Sequence, residues 1–253
     1  VDVKQQTCYE LGKYREAHYL FGREMMGYAM EQMRYQPVGN LFLEFGGEGA
    51  VADYCRDLDL ETAVASVVFR RKAARVRREC FVSRPAEAIV VRLESEAPGS
   101  ICLSARLVGG EDGKFAADGT WTVRTDGNDT LVMSGKCASE QGIEGRVRFE
   151  TVVRFRPEGG AVTALPDGGI CVQDADAVTV LVSTATNVLS YKDIGGDPGA
   201  RARARLDKAA GLDYATLKNA HIADHRSLFG RVGFELTATA ASALPTDERL
   251  KAF

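Results

Sequence analysis

Hydrophobic residues alternate with polar ones through most of this chain. The clearest example is residues 146–156, where Val147, Phe149, Val153 and Phe155 alternate with arginine and glutamate. Successive side chains of a β-strand point to opposite faces, so this period of two predicts strands with one face in a core and the other in water.

Short glycine-rich segments, among them VGGEDG, TDGND and PEGG, separate the alternating runs. They are too short to hold the crossover helices of a parallel sheet, so neighbouring strands are predicted to be antiparallel. Roughly ten strands at this spacing indicate a mainly β protein, built as a large antiparallel β-sandwich of two sheets. One predicted strand is RDLDLETAV, with Leu58, Leu60, Thr62 and Val64 on its apolar face.

Helical periods occur near both ends of the chain. Residues 11–27 place Tyr14, Ala17, Phe21 and Met25 three or four positions apart, which predicts an amphipathic helix that ends at Gly27. Near the other end, DPGARARARLDKAAG and DYATLKNAHIADHRSLFGRV predict two more helices.

The last part of the chain changes character twice. Residues 232–237, VGFELT, alternate again and predict a final strand, which the small-residue segment ATAASA follows. In LPTDERLKAF, Pro245 and the acidic Asp247 and Glu248 are typical of a helix start. The predicted organisation is a sandwich domain at 1–196, a helical linker at 197–243 and the start of a further helical domain at 244–253.

Composition argues against two classes of partner. The net charge is −3 and the sequence pI is about 5.8, so no global basic field attracts nucleic acid or an anionic membrane surface. No apolar run approaches the roughly 20 residues that span a bilayer. The chain begins VDVKQQ, without a methionine or a signal pattern, so we expect upstream sequence or a removed leader, and the compartment stays open.

The six cysteines are dispersed and form no C-x-x-C motif, which removes the usual signal for zinc ribbons and thioredoxin-like chemistry. Several lie in strand-like apolar runs, so we predict buried, unpaired thiols, with disulfides left open.

The segment LFLEFGGEGAVA resembles a dinucleotide-binding turn, with Gly47 and Gly49 at the positions of its first glycines. Such a site needs a helix after the glycines, inside a strand–helix–strand unit. The sequence beyond Ala52 alternates at period two instead, so a glycine-rich β-turn is the better interpretation.

His221 and His225 lie four residues apart on a predicted helix, a spacing at which two imidazoles can share a zinc ion. The glutamate of H-E-x-x-H is absent, and a solvated or interdomain helix face is the favoured interpretation. The sequence also lacks a G-x-S-x-G elbow and a P-loop, and most carboxylates fall on the polar side of alternating runs. We therefore predict no catalytic residue, cofactor or metal site within the chain.

Tyr35 and Gln36 are candidates for a substrate loop, because Pro37 and Gly39 would hold them in a rigid turn between helix and strand. A packed turn is the alternative. A sugar-binding platform would need exposed aromatic residues, and Trp121 is the only tryptophan.

Five ordered motifs carry a family resemblance: YQPVGNLFLEF, YCRDLDLETAVASVVF, RRECFVSRPAEAIVVRLES, HIADHRSLFGRV and LPTDERL. Together they resemble the N-terminal region of glycoside hydrolase family 95, the inverting α-L-fucosidases and related α-L-galactosidases. The resemblance begins near residue 10, is weakest between 109 and 145, and departs from the commoner family pattern at Asn40, where Asp is usual.

The resemblance implies a β-sandwich of the supersandwich type, a helical linker, a catalytic (α/α)6 barrel and a C-terminal β-domain. It also implies that the chain lacks the first strands of its sandwich. The catalytic Glu, Asn and Asp of the family lie in the barrel, so no catalytic residue is transferred to this chain. Its implied partners are the barrel of its own parent protein and, through that barrel, a fucosylated oligosaccharide.

Two functional hypotheses follow. The chain is a non-catalytic N-terminal part of an inverting glycosidase, inactive by itself, whose sandwich supports the barrel. Alternatively, it is a stand-alone carbohydrate-binding β-sandwich module. The sequence leaves the sugar, the linkage and the oligomeric state open.

Overall fold

The computed structural model describes residues 7, 10–25, 37–46, 49–71, 74–109, 121–139 and 142–251. Its α-helices are α1 (Tyr14–Met25), α2 (Pro198–Ala210), α3 (Tyr214–Phe229) and α4 (Thr246–Lys251), with a 3₁₀ turn at Ala240–Ala243. Its strands are β1 (Asn40–Phe45), β2 (Val51–Asp59), β3 (Val64–Arg71), β4 (Ala74–Ser83), β5 (Ala88–Ser95), β6 (Ile101–Val108), β7 (Trp121–Asp126), β8 (Thr130–Lys136), β9 (Arg148–Glu158), β10 (Ala161–Ala164), β11 (Ile170–Ala175) and β12 (Ala177–Thr186).

The strands form two antiparallel sheets. One has four strands in the order β1, β6, β11, β10, and the other has eight in the order β2, β3, β4, β5, β12, β9, β8, β7. The described pairs are all antiparallel. The predicted antiparallel β-sandwich is therefore confirmed.

The core between the sheets consists of the apolar residues that the period of two placed on one side of each strand. Leu103 and Ile170 of the four-stranded sheet meet Met133, Val153 and Phe155 of the eight-stranded sheet, and each is at most 3% exposed. Complete burial of a side chain of this size contributes roughly 1.5–3 kcal/mol, so this layer is a principal source of stability.

Helices cover the central strands on the outer face of the eight-stranded sheet, and this corrects the prediction that one side of residues 146–156 faces water. Val152 is fully buried on that side, in a second core with Ala202 and Leu206 of α2 and Leu217 of α3. The sequence pattern could not show this. A strand face that is covered by a helix can also carry charged residues, which pair with the helix, so its alternation looks the same as that of a face in water.

Polar residues on the covered face are paired with the helices. Arg154 Nη1 lies 2.9 Å from Asp207 Oδ1 of α2, and Arg156 Nη1 donates to the carbonyl oxygen of Leu212 at 2.7 Å. The arginines of β9 therefore attach the helical segment to the sandwich.

Both predicted C-terminal helices are confirmed, and each has a side-chain cap. Asp197 accepts from the amide of Ala200 at 3.0 Å, and Asp213 accepts from the amide of Thr216 at 2.7 Å. An N-cap carboxylate satisfies an amide that has no partner within the helix. The helix predicted at 11–27 is present as α1 from Tyr14 to Met25, and its predicted end at Gly27 lies outside the described residues; Tyr14 and Phe21 of its apolar stripe are 63% and 42% exposed.

Three local predictions are wrong. The run from Leu58 to Val64 is not one strand, because Leu58 lies near the end of β2, residues 60–63 form a turn and Val64 begins β3; Leu58 and Leu60 are 58% and 63% exposed. Residues 232–237 form no described strand. The described cysteines are unpaired, as predicted, but they are exposed or half-buried.

Within the part of the chain that the structure describes, no helix is long and apolar enough to span a lipid bilayer.

Candidate functional site

Tyr35 and Gln36, the candidate substrate-loop residues, lie outside the described residues. The segment that follows them is fixed by Gly39, whose φ is 153°. A Cβ at this position would lie 2.6 Å from the carbonyl oxygen of Val108 and 3.2 Å from the Cα of Gly109, so the space admits only glycine. The chain after the candidate loop is therefore held closely against the end of β6.

Trp121 lies at this same end of the sandwich. A Cβ on Gly109 would fall 2.5 Å from the indole Nε1 of Trp121, which shows that the ring lies directly on the backbone of Gly109. The tryptophan is 40% exposed. Gly109 thus contacts both the segment that leads into β1 and Trp121. The sequence suggested these two features separately.

The glycine-rich segment leads into a strand and not into a helix. Gly47 lies outside the described residues, while Gly49 has a φ of 134° and β2 follows it. β2 pairs antiparallel with β3. The strand–helix–strand unit of a dinucleotide site is therefore not formed here, while Gly47, at the centre of the predicted β-turn, lies outside the described residues.

His221 and His225 hold the turn between β2 and β3. His221 Nε2 lies 3.3 Å from the carbonyl oxygen of Ala63, and His225 Nε2 lies 2.9 Å from that of Leu60. The His221 ring also stacks on Phe81 of β4, with 4.7 Å between ring centroids. His221 is only 5% exposed, so the prediction of a solvated helix face is wrong at this residue.

These contacts occupy Nε2 of both histidines, so only their Nδ1 atoms would be left for a metal. An Nε2 that donates its proton to a carbonyl oxygen cannot at the same time present a lone pair to zinc. Among the described residues, no group of three or more His, Cys, Asp or Glu side chains is arranged to hold a metal ion.

Glu79 of β4 is the most deeply buried carboxylate among the described residues, at 5% exposure. Its Oε2 accepts hydrogen bonds from the hydroxyl of Tyr214 and from Lys218 Nζ, the latter at 2.7 Å, and its Oε1 accepts from Arg77 Nη2. Burial alone would raise the pKa of Glu79, but these hydrogen bonds and the charges of Lys218 and Arg77 hold that pKa below its ordinary value.

Tyr214 is held in its neutral form by the same arrangement. Burial and the hydrogen bond to the Glu79 carboxylate raise the pKa of the phenol far above its usual range. Its ring is also contacted by the Arg92 guanidinium, 5.2 Å from the ring centroid. Tyr214 therefore acts as a fixed hydrogen-bond donor at the start of α3.

Arg92 of β5 is 7% exposed and is fully engaged. Its Nε donates to Glu94 Oε1 at 2.9 Å, its Nη2 to Glu158 Oε2 at 2.9 Å and its Nη1 to Thr179 Oγ1 at 2.9 Å. A buried guanidinium requires such compensation, because an unpaired charge would be strongly destabilising.

An open groove of about 350 Å³ is lined by residues of the β4–β5 turn and its flanking strands, by β12 and by Arg205 of α2. Val82, 68% exposed, is one of its apolar lining residues. Its arginines are already paired, Arg84 Nε with Asp224 Oδ2 at 2.9 Å and Arg205 Nε with Glu87 Oε1 at 3.0 Å. The groove therefore offers no free cation to an anionic ligand.

The buried polar residues on the helix-covered side of the sheet attach α3 to the sandwich. Glu79 is ionised, Tyr214 is neutral, and both are bound to each other. Glu79, Tyr214, Lys218 and Arg92 were not predicted from the sequence as functional residues. One signal was available, because Glu79 and Phe81 share a side of β4 and a charge beside a buried aromatic residue calls for a partner.

Comparisons with known proteins match this chain to glycoside hydrolases. The family model described as "Glycosyl hydrolase family 65, N-terminal domain" matches residues 6–191. Alpha-L-fucosidase 2 of Arabidopsis thaliana is 27% identical over 251 residues, which covers 87% of this chain and 29% of that protein. A protein of Aspergillus niger named as alpha-fucosidase A is 25% identical over 230 residues, which covers 87% of this chain and 28% of that protein.

A solved structure titled as a kojibiose phosphorylase from the human microbiome has the same fold. Its TM-score is 0.53 at 12% sequence identity, and the match covers 77% of this chain and 28% of that one. The chain thus spans less than a third of the length of these curated relatives and of this solved structure.

Proposed function

This chain belongs to the family of glycosyl hydrolase family 65 N-terminal domains, and on that basis we propose that it is the non-catalytic N-terminal part of an inverting α-L-fucosidase. The parent enzyme is of the glycoside hydrolase family 95 type and acts on fucosylated glycans. The chain divides into a sandwich domain at 1–196, a linker at 197–243 and the start of the (α/α)6 catalytic barrel at 244–253.

The observation that carries this proposal is the pair of relatives named as α-fucosidases, each matched over 87% of this chain but over only 29% and 28% of its own length. More than two thirds of each relative thus lies outside the match and is free to hold a catalytic domain.

The buried carboxylate supports the same assignment. An inverting glycosidase needs a carboxylic acid with a raised pKa as its general acid, opposite a base that activates water. Glu79 has the opposite property, because Lys218, Tyr214 and Arg77 keep it ionised. Its role is to attach α3 to the sandwich.

In this proposal the sandwich supports the barrel, and Tyr35 and Gln36 lie at the rim of the catalytic cleft. The close fit of Gly39 against Val108 gives the end of that loop a fixed position. The partners are the barrel of the same polypeptide and, through it, the fucosylated oligosaccharide.

The test compares this chain with the full-length parent on a 2′-fucosylated oligosaccharide. The full-length protein should release fucose with inversion, seen by NMR as β-fucose in the first minutes, and the isolated chain should release none. A mock purification from cells without the gene is the control for host fucosidases. Turnover that co-elutes with the isolated chain and exceeds the mock would overturn the proposal.

The loop assignment is tested in the full-length enzyme. Tyr35→Ala and Gln36→Ala should raise KM at an unchanged Tm, while Tyr191→Ala, at a tyrosine that is 91% exposed, should change neither. Unchanged kinetics in both loop variants would contradict a rim position.

A stand-alone carbohydrate-binding module is the second candidate, favoured by the 40% exposure of Trp121 beside the start of β1. It predicts saturable binding of fucosylated oligosaccharides to the isolated chain, abolished by Trp121→Ala. Absence of binding in a calorimetric titration would leave the first proposal as the better one.

A further inference from the structure

The hairpin that joins β3 to β4 carries the highest density of positive charge in the chain. Six of the nine residues at 70–78, RRKAARVRR, are arginine or lysine, although the net charge of the whole chain is −3. Five of the six are arginines, whose planar guanidinium groups bind the oxygen atoms of an anion in a fixed geometry. Lys72 lies outside the described residues, so only the arginines are considered as a site.

Two of these arginines face each other across the hairpin. Arg70 of β3 is the cross-strand partner of Arg75 of β4, and both are exposed. Directly opposed residues have Cβ atoms about 4.5–5.5 Å apart, and like charges in such a pair repel each other. The pairing therefore does not stabilise the hairpin.

Few acceptors compensate this charge. Arg70 Nε lies 3.0 Å from Asp53 Oδ2, a contact that uses one of the five N–H donors of the guanidinium. Within the part of the chain that the structure describes, the guanidinium of Arg75 has neither a hydrogen bond nor an ion pair. Arg71 Nη1 donates to the carbonyl oxygen of Gly46 at 2.8 Å, while Arg71 Nε is buried and has no partner among the described residues. Basic groups thus outnumber their acceptors at this end of the sheet.

A cavity of about 330 Å³ opens beside the opposed pair. Arg70 and Arg75 line it together with Asp53 and the apolar Val68. Asp53 lies where the register of β2 against β3 shifts, and its φ is 52°. A β-bulge of this kind re-aims a side chain, here toward Arg70. The cavity therefore offers an anion two guanidinium groups, with one carboxylate that competes for Arg70.

The positive surface extends beyond the pair. Arg77 is two residues along β4 from Arg75, so the two side chains share a face of the strand. The Arg77 side chain is 53% exposed although it is bound to Glu79. A polymer with repeated anionic groups can therefore contact more than one arginine on this face.

We propose that Arg70 and Arg75 form a binding site for the sulfate or carboxylate groups of an acidic polysaccharide. A bound anion relieves the repulsion between the two guanidinium groups, and charge-assisted hydrogen bonds to arginine are among the strong ones. The chain belongs to a family of glycosyl hydrolase domains, which favours a polysaccharide over nucleic acid as the anionic polymer. The site goes beyond the proposed function, because it requires neither a barrel nor fucosidase activity.

The test is calorimetric titration of this chain with dextran sulfate and with polygalacturonate at low ionic strength, where exposed charges are least screened. At least one acidic polymer should bind, and uncharged dextran should not. Binding of only one of them would identify sulfate or carboxylate as the group that the site takes. Failure of both acidic polymers to bind would overturn the proposal.

Charge-matched variants separate this site from general attraction. Arg70→Gln combined with Arg75→Gln should weaken binding on the order of 10-fold or more, because both variants lose charge-assisted hydrogen bonds. The Tm of this double variant should not fall, since the removed charges repel each other. The control Arg124→Gln with Arg249→Gln removes two exposed charges elsewhere and should keep the wild-type affinity. Equal losses in the two double variants would overturn the proposal.

Asp53→Asn should have the opposite effect. Removal of the carboxylate that competes for Arg70 should strengthen binding several-fold. Asp247→Asn is the matched control, because that aspartate is 73% exposed against 70% for Asp53 and also pairs with one basic side chain. Unchanged or weaker binding in Asp53→Asn would contradict the placement of the anion beside Arg70.

Two further outcomes are distinguishable. Tighter binding of duplex DNA than of either acidic polysaccharide, lost in the Arg70→Gln, Arg75→Gln variant, would identify nucleic acid as the ligand and overturn the proposal. Fucose release by the full-length parent is scored separately. Polysaccharide binding without fucose release contradicts only the fucosidase assignment, and fucose release without polysaccharide binding contradicts only this site.

Discussion

The hydroxyl of Tyr214, the first residue of α3, donates a hydrogen bond to Oε2 of Glu79 on β4, 135 residues earlier in the chain. Lys218, one turn further along the helix, binds the same oxygen at 2.7 Å. The helix thus presents a phenol and an ammonium group to one buried carboxylate. This contact makes α3 part of the folded body that includes the sandwich.

Glu79→Gln should lower the free energy of unfolding of the isolated chain by about 1.5–3 kcal/mol, the range for hydrogen bonds to a buried charged group. The amide keeps the shape of the carboxylate but loses the charge that Lys218 and Arg77 face. Urea unfolding followed by circular dichroism measures the change.

Glu61→Gln is the matched control, because that glutamate is 81% exposed and only 4.0 Å from Arg226. Exposed ion pairs of this kind contribute little, so the control should unfold with the wild-type chain. Equal midpoints for all three proteins would show that Glu79 does not attach α3.

The contribution of Glu79 should depend on pH in a defined direction. Its pKa in the folded chain is lowered from an ordinary value of 4.5, so folding favours the ionised form. The stabilisation is therefore complete above about pH 4.5 and is lost as the pH falls through the folded-state pKa.

The stability difference between wild type and Glu79→Gln should accordingly be constant from pH 7 to about pH 5 and shrink below that. Urea midpoints at several pH values measure it. A difference that persists unchanged at pH 3 would mean that the variant acts through shape and not through charge.

Leu206→Ala should destabilise the isolated chain by about 2–5 kcal/mol, as expected for a leucine truncated in a close-packed core. Leu206 lies on α2, is fully buried and packs against the outer face of the eight-stranded sheet. Leu236→Ala is the matched control, because that leucine is 74% exposed and should leave the stability of the isolated chain unchanged. Similar effects of the two variants would mean that α2 does not share the core.

Gly109→Ala should displace the indole of Trp121, since the new methyl group would fall 2.5 Å from Nε1. Overpacking of this kind typically costs about 1–3 kcal/mol. Trp121 is the only tryptophan, so its fluorescence emission reports the displacement directly and should shift to longer wavelength as the ring becomes more exposed.

Gly211→Ala is the control for that experiment. Its Cβ would lie 3.6 Å from the nearest atom, an ordinary contact, and its backbone is in the right-handed helical region. The control should keep the wild-type spectrum. An unshifted spectrum in Gly109→Ala would contradict the stacking of Trp121 on the backbone.

Much of the fold could be predicted from local patterns. Strand β9 follows from the alternation around Phe149 and Phe155, and α2 and α3 follow from the helical periods of their segments, whose caps at Asp197 and Asp213 the structure adds. These signals are local because a strand's two faces and a helix's free amides are fixed by neighbouring residues. The same rule failed at Leu58–Val64, where alternation continues through a turn that Ala63 completes with a φ of 51°.

The candidate site was less predictable. The pairing of His221 and His225 with the carbonyl oxygens of residues 63 and 60 links positions that are 158 and 165 residues apart. Two histidines four residues apart could bind a metal, face solvent or hydrogen-bond to a neighbouring turn. Only the position of the β2–β3 turn in the folded chain decides among these roles.

By itself, the sequence determined the elements of this protein: antiparallel strands, capped helices and the turns between them, because each depends on side chains close together in the chain. The tertiary structure decided which faces are covered. Val152 and Val153 are adjacent and both fully buried because α2 lies on one side of their strand and the second sheet on the other. Coverage depends on contacts between distant segments, and for that reason Glu79 and Tyr214 could be recognised as partners only in the folded chain.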